Sequence, residues 1–350
     1  MNESSGRIVQ EFFKKYYEDL DSFGIKQIEK RELAFSSFGK QGMVRHTSFP
    51  SMSNLMDYVR INTPLHFYYS SAYYSNPEAT MDNKGWKGAD LVFDIDGDHI
   101  EGADKMGYAE MLAVVKQELK KLLDLLTDDL SVGKQNLEVV FSGSRGYHVH
   151  VYSIFAALES QERREIVDYI SGRCISSEFR STAKTKWDKK IESTRESLYQ
   201  ILDSPDKKWK QELEEETGEL IGDLGKREIR KGGYVDRNAK KLAVKRYASK
   251  IDEPVTIDVH RLIRTPGSLH GKSGLMVEAL PYEQVDKFEP LTDAIPRVFR
   301  DETEVNITKK VSLDFMGVKR EVQEGRTVLP TYAVLYSVLK GAAEFVEPTK

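Results

Sequence analysis

Cysteine is almost absent: Cys174 is the only one in 350 residues. An intrachain disulfide is therefore impossible, and so is a zinc site built on cysteine thiolates. No run approaches the roughly eighteen apolar residues of a membrane-spanning helix. The opening stretch, MNESSGRIVQEFFKKYYEDL, lacks the apolar segment and small-residue cleavage site of a secretory signal. It reads instead as an amphipathic helix, and the chain is expected in the cytoplasm. Repeats and low-complexity tracts are missing as well. Neither sign of charge dominates: 52 Lys and Arg stand against 56 Asp and Glu, a net charge of −4. That balance excludes a protein gripping nucleic acid over its whole surface, while leaving room for a local basic groove.

What is present suits a soluble globular chain of two domains, or of one domain with an insertion. Residues 5–22 read as a helix, and 27–75, rich in aromatics (FYYSSAYY), as short strands and turns. Residues 91–96 read as a strand. Leu112, Val115, Leu119, Leu122 and Leu126 recur at helical spacing and predict an amphipathic helix over 104–126. NLEVVFSG and YHVHVYSI predict two strands around a GSRG turn. Residues 159–221 are charged and helix-forming. The expected division is a core of 1–158 and 225–350 with an inserted helical lobe, 159–224, in an α+β (mixed α/β) chain. The stretch 225–250 carries ten Lys and Arg against Glu228 and Asp236, either a solvated helix face or a place for a polyanion. After it come strand and loop. The tail from 281 reads as strands and a last helix near 331–345, with no legible chemistry.

The first chemical signal is GADLVFDIDGDHI, residues 88–100. In a strand, alternate side chains share a face, so Leu91, Phe93 and Ile95 can enter a core while Val92, Asp94 and Asp96 point the other way. Two carboxylates about 7 Å apart on one face repel each other unless a cation lies between them. Oxygen-only ligands of this kind suit magnesium or manganese. A strand with a solvated face and an Asp-Gly turn is the plain alternative. Three chemistries compete with it: a haloacid-dehalogenase-type phosphatase, a metal-dependent glycosyltransferase and a two-metal nucleotidyltransferase. The phosphatase would carry Thr or Ser where this chain has Asp98, and a late acidic element that is not evident.

Two further motifs narrow the choice. In FSGSRGYHVHV, Gly143 and Gly146 permit a tight turn. Arg145 offers a planar fork for phosphate oxygens, and His148 and His150 share a strand face. The phosphatase and glycosyltransferase readings leave this hairpin unexplained. In RLIRTPGSLHGKSGL, Arg261, Arg264, His270 and Lys272 gather on a glycine-rich loop, as an anion cradle would. A metal pair needs about three carboxylates; upstream, Asp252 and Asp258 could each supply the third.

Together these pieces resemble the catalytic (small) subunit of the archaeal and eukaryotic DNA primases, the archaeal branch more closely. YYSSAYY, GADLVFDID, SGSRGYHVHV and DEPVTIDVHRLIRTPGSLHGKSGL follow in the family's order over about residues 5–290, and KREL…F and MVRHTSF also fit. The resemblance implies a core related to the RNA-recognition-motif arrangement. It implies Asp94, Asp96 and Asp252 as the metal-binding, catalytic carboxylates; Asp252 fits because it precedes a Val-Thr pair ahead of the motif histidine. Ser142, Arg145 and His148 match the hairpin residues that hold the nucleotide. Arg264, His270 and Lys272 match the triphosphate contacts, and Arg45 a further nucleotide contact.

The implied activity is template-directed synthesis of short RNA primers on single-stranded DNA by two-metal nucleotidyl transfer, using Mg2+ or Mn2+, with NTPs as substrates and dNTPs within the family's range. A large primase subunit is the implied partner. Two departures stand out. The family's zinc knuckle after the carboxylate strand is replaced by GDHIEGADKMGYAE, with one histidine and no cysteine, so no structural zinc is expected. Ser144 stands where some relatives have arginine. An end-joining-type primase-polymerase shares the carboxylates and hairpin and is the alternative reading, although its ending is not expected to contain RxPGSLHGKxG. A non-catalytic nucleic-acid binder has no use for three clustered acids facing a polyanion.

Overall fold

The computed structural model describes residues 2–152, 154–175, 185–206 and 208–346. The chain is mixed α/β and separates into two units, one formed by 1–117, 132–164 and 251–350 and the other by 118–131 and 165–250.

In the first unit the N-terminal helix, Glu3–Asp19, is capped by the Asn2 side chain, which accepts from the Ser5 N–H at 2.8 Å. It buries Val9, Phe13, Tyr16 and Tyr17 at helical spacing. Two four-stranded antiparallel sheets hold the three motifs. One runs in the order Val44–Thr47, Leu33–Ser36, His66–Ser70, Leu262–Arg264. The other runs Glu278–Leu280, Leu137–Phe141, Gly146–Val151, Leu91–Asp96. The expected carboxylate strand is present with the predicted alternation: Leu91, Phe93 and Ile95 are fully buried, and Asp94 and Asp96 lie on the opposite, partly open face. The stretch read as strands and turns also holds a helix, Met52–Asn62, capped by Ser51 and burying Leu55, Met56 and Val59. Its aromatic neighbours obscured that short apolar stripe. The predicted helix over 104–126 forms as Tyr108–Asp124 and ends in a wider turn, Leu125–Asp129.

A buried ion pair ties the elements together. Arg31 Nη2 lies 2.5 Å from Asp90 Oδ2, both side chains fully buried. Arg31 Nη1 also donates to the carbonyls of Ser70 and Ser71, and Tyr73 OH donates to Asp90 Oδ1 at 2.6 Å. Asp90 immediately precedes the carboxylate strand, and Ser70 ends a strand of the other sheet. Each charge therefore has its remaining hydrogen-bonding capacity met, as burial requires.

The second unit has its own apolar core, in which Leu198 and Leu202 of helix Lys186–Asp203 meet Val235, Ala239, Leu242 and Ala243 of helix Tyr234–Tyr247. Burying each leucine contributes on the order of 1.5–3 kcal/mol. This differs from the expected boundaries. The basic stretch 225–250, assigned from sequence to the core, packs with the helices, and 118–131 joins them. The reason is the apolar stripe on Tyr234–Tyr247, which the dense Lys and Arg of the opposite face concealed. The tail of the first unit adds strands Glu302–Ile307, Val311–Phe315, Val318–Val322, Gly325–Pro330 and Ala343–Phe345 around helix Thr331–Leu339.

Candidate active site

The three motifs converge on one cavity of about 400 Å³. Strand pairing explains how. Asp94 stands opposite His148, and Asp96 opposite Gly146, across the Leu91–Asp96 and Gly146–Val151 pair. His148 Nε2 lies 3.6 Å from Asp94 Oδ1. Gly146 is required here, because a Cβ would stand 2.3 Å from the Ile95 carbonyl oxygen. The turn before it places Ser142 and Arg145 at the cavity. Ser142 Oγ accepts from the Gly146 N–H at 3.2 Å. Arg145 holds Asp98 through both terminal nitrogens, and its Nε lies 3.6 Å from Asp96 Oδ1.

The opposite wall comes from the other sheet. Arg264 is paired in register with Tyr68. Its Nη1 lies 2.8 Å from His66 Nδ1, and its Nη2 donates to Tyr68 OH at 3.1 Å. The loop that follows carries His270 and Lys272. The Lys272 N–H donates to His270 Nδ1 at 3.2 Å, which leaves the proton of the neutral ring on Nε2. This loop lies close to the hairpin: Ser273 Oγ donates to the Gly143 carbonyl. Gly143, at φ +78°, would bring a Cβ within 2.8 Å of His270 Cβ.

Charge is unevenly satisfied in this cavity. Burial, with Asp96 and Asp252 nearby, pushes the Asp94 carboxyl up to about 7. Burial and the Arg264 and Arg261 guanidiniums hold His148 down to about 3. His66 is likewise lowered to about 3 by burial, Arg264 and Lys272, and His270 lies well below the usual imidazole range. The three rings are therefore neutral near pH 7. The basic side chains are Arg145, Arg261, Arg264, Lys272 and Lys340, facing two carboxylates. The excess of cations suits a polyphosphate, and the crowded carboxylates suit a divalent cation.

The donor set fits such a cation. Asp94 and Asp96 share a face at the cavity. Among the described residues no three His, Cys, Asp or Glu side chains close on one point. The arrangement is two partly buried carboxylates that face the cavity, with a third acid near them. Magnesium, which keeps several waters and phosphate oxygens as ligands, is usually held in this way.

Of the residues expected from sequence, Asp94, Asp96, Ser142, Arg145, His148, Arg264, His270 and Lys272 line this cavity. Asp252 is not among the lining residues, but its main-chain N–H donates to the Asp94 carbonyl at 2.7 Å and its charge acts on Asp94. Asp258 instead accepts from the His260 N–H at 2.9 Å, in a local turn. Arg45 does not line the cavity. It pairs with the buried Glu32 through Nε at 3.0 Å, joining Lys84, whose Nζ lies 3.3 Å from the same carboxylate. His66, Tyr68 and Lys340 line the cavity without having been singled out. The first two lay within an aromatic run with no motif spacing. Lys340 lies in the tail that showed no chemistry, which is a correction.

A family model described as DNA primase small subunit matches residues 93–280. The DNA primase small subunit PriS of Thermoplasma volcanium is 36% identical over 343 residues, covering 95% of this chain and 96% of its own length. That of Methanosarcina barkeri is 35% identical over 412 residues, covering 99% of this chain and 98% of its own. Among solved structures, the polymerase domain from Mycobacterium tuberculosis Ligase D in complex with DNA covers 80% of this chain and 82% of its own at 13% identity and a TM-score of 0.36, a likeness too distant to carry function. The matched segment 93–280 contains every cavity residue except His66, Tyr68 and Lys340.

Proposed function

This chain belongs to the DNA primase small-subunit family and is a primase catalytic subunit, and on that premise we propose that its cavity performs two-metal nucleotidyl transfer on a single-stranded DNA template. The observation that carries the reading is the assembly, in one cavity, of two carboxylates on a strand face with five cations drawn from distant parts of the chain. The end-joining alternative is not favoured, since relatives named as primase small subunits match over nearly the whole chain.

In this reaction the primer 3′-oxygen forms a bond to the α-phosphorus of the incoming nucleotide, and the bond from that phosphorus to pyrophosphate breaks. Asp94 and Asp96, with Asp252 beside them, would hold two divalent cations, magnesium or manganese. When bound, these lower the pKa of the attacking hydroxyl and steady the leaving pyrophosphate. Arg145, Arg264 and Lys272 neutralise charge on the phosphates, and His270 presents an Nε2–H donor to them. Ser142 and His148 position the hairpin side of the nucleotide, with His148 neutral and therefore not competing for the cation site. Arg145 exchanges Asp98 for phosphate oxygens as the nucleotide enters.

The substrates in this reading are NTPs, with dNTPs also accepted, and the products are short primers. A large primase subunit is the partner that assists initiation. The exposed Arg227, Lys231, Lys240, Lys241 and Lys245 follow the backbone of template or duplex. No described helix is long and apolar enough to cross a membrane. The deciding experiment is primer synthesis on unprimed single-stranded DNA with labelled nucleotides and Mg2+ or Mn2+, with and without a large subunit, beside Asp96→Ala. New oligomers from the wild type alone are expected. Equal product from the variant would overturn the assignment.

A further inference from the structure

Lys340 is the C-cap residue of helix Thr331–Leu339 and lines the same cavity as Arg145, Lys272 and the two carboxylates. Its position is built rather than incidental. Its Nζ lies 5.4 Å from the ring centre of Tyr336, one turn earlier on the same helix. Tyr336 stacks on Tyr108 with ring centres 6.0 Å apart. Tyr108 OH in turn donates to the Ser144 carbonyl at 2.6 Å, inside the turn that carries Ser142 and Arg145. The same helix lies against the loop of His270 and Lys272: a Cβ at Gly274 would stand 3.5 Å from Leu335 Cβ and 3.6 Å from Leu339 Cδ1. The helix therefore abuts the loop of His270 and Lys272 directly and reaches the hairpin turn through Tyr108. Its terminal ammonium meets like charge there, since burial, Arg145 and Lys272 all depress the Lys340 pKa. A lysine held among cations is unfavourable in the empty protein and becomes favourable when an anion occupies their common focus.

We propose that Lys340 is a phosphate-binding residue of the nucleotide site, supplied by the C-terminal helix and contacting the polyphosphate of the incoming nucleoside triphosphate. This rests on the reading of the cavity as the nucleotide site. It adds a cation from outside the segment in which the family motifs lie.

The test is calorimetric titration of the full chain in magnesium buffer with an α,β-methylene nucleoside triphosphate, the corresponding diphosphate analogue and the monophosphate. Lys340→Ala should weaken the triphosphate analogue by about tenfold, the size of one charge-assisted contact, and leave the monophosphate unchanged. Lys340→Arg should restore most of the loss. Lys309→Ala, an exposed lysine outside the cavity, controls for the general field. Thermal melting checks each fold, and Lys340→Gln replaces the alanine variant if that variant melts early. No loss in the Lys340 variants, an equal loss for all three ligands, or the same loss in Lys309→Ala would overturn the inference. Binding is read without synthesis, so absent primer formation does not touch it. Failure of the wild type to bind any triphosphate would overturn the nucleotide-site reading itself.

Discussion

The main-chain N–H of Asp252 donates to the carbonyl oxygen of Asp94 over 2.7 Å. That bond holds the short helix Glu253–Ile257 beside the carboxylate strand, so that an acid far along the chain raises the pKa of Asp94. Charge crowding of this kind is costly in the empty protein and is what a divalent cation relieves.

Neutralising any of the three acids should therefore remove catalysis and spare the fold. Asp94→Asn, Asp96→Asn and Asp252→Asn are each expected to lower primer synthesis by on the order of 10²–10³-fold or more. Circular dichroism should stay native. Full synthesis by Asp252→Asn would exclude it from the metal site.

Stability of the metal-free chain should respond to pH through two opposed groups. The Asp94 carboxyl, raised to about 7, binds a proton in the folded state before it does in the unfolded one. Its contribution is therefore lost as pH rises from about 4 through 7. His66 and His148, lowered to about 3, act the other way: stability is present above about 6.5 and lost as pH falls below it. Asp94→Asn should stabilise the metal-free chain at pH 8, and His148→Gln should reduce the loss between pH 6.5 and 5. Denaturant midpoints at pH 5, 6.5 and 8 measure both, and identical pH profiles for the wild type and both variants would refute the scheme.

The Arg31–Asp90 pair should behave as a buried charge pair broken from one side. Asp90→Asn leaves the Arg31 guanidinium without its counter-charge and is expected to destabilise by about 3–5 kcal/mol. A midpoint shift in urea reads the cost. A shift below about 1 kcal/mol would mean that the guanidinium regains solvent, as surface pairs do.

Gly143 is sensitive for two reasons, its φ of +78° and the 2.8 Å at which an added Cβ would meet His270 Cβ. Gly143→Ala should lower stability by about 1–3 kcal/mol. It should also weaken nucleotide binding, because the displaced neighbour is itself a cavity residue. Unchanged nucleotide affinity in a destabilised Gly143→Ala would separate the two effects and count against the coupling.

The exposed cations of helix Tyr234–Tyr247 should contribute salt-dependent affinity. Reversing Lys240, Lys241 and Lys245 to Glu should weaken binding of single-stranded DNA and flatten its dependence on salt, by about 0.7 units of slope for each phosphate that is no longer neutralised. A slope equal to that of the wild type would leave these residues as a solvated face.

Strand Leu91–Asp96 and the hairpin after Leu137 were legible because a period of two and a Gly-rich turn are local properties, written in five or six consecutive residues. Arg264, at the end of its strand, and the loop residues His270 and Lys272 were legible for the same reason. Helix Met52–Asn62 was not, since only three buried positions mark it among aromatics. The basic stretch was misplaced because its apolar stripe becomes meaningful only when helix Lys186–Asp203 is set against it.

By itself the sequence determined the chemistry on offer: paired carboxylates on one strand face, an arginine on a tight turn, an imidazole and an ammonium on a glycine-rich loop, and no thiol pair. Tertiary structure alone decided which side chains share the cavity. His66 and Tyr68 enter through pairing of His66–Ser70 with Leu262–Arg264, and Lys340 enters through packing of a helix against the glycine-rich loop and, through Tyr108, the hairpin turn. Arg45 is drawn away by a buried glutamate. These outcomes depend on interactions between residues far apart in the chain. Their energies come from burial and charge compensation in the folded state, and no local spacing records them.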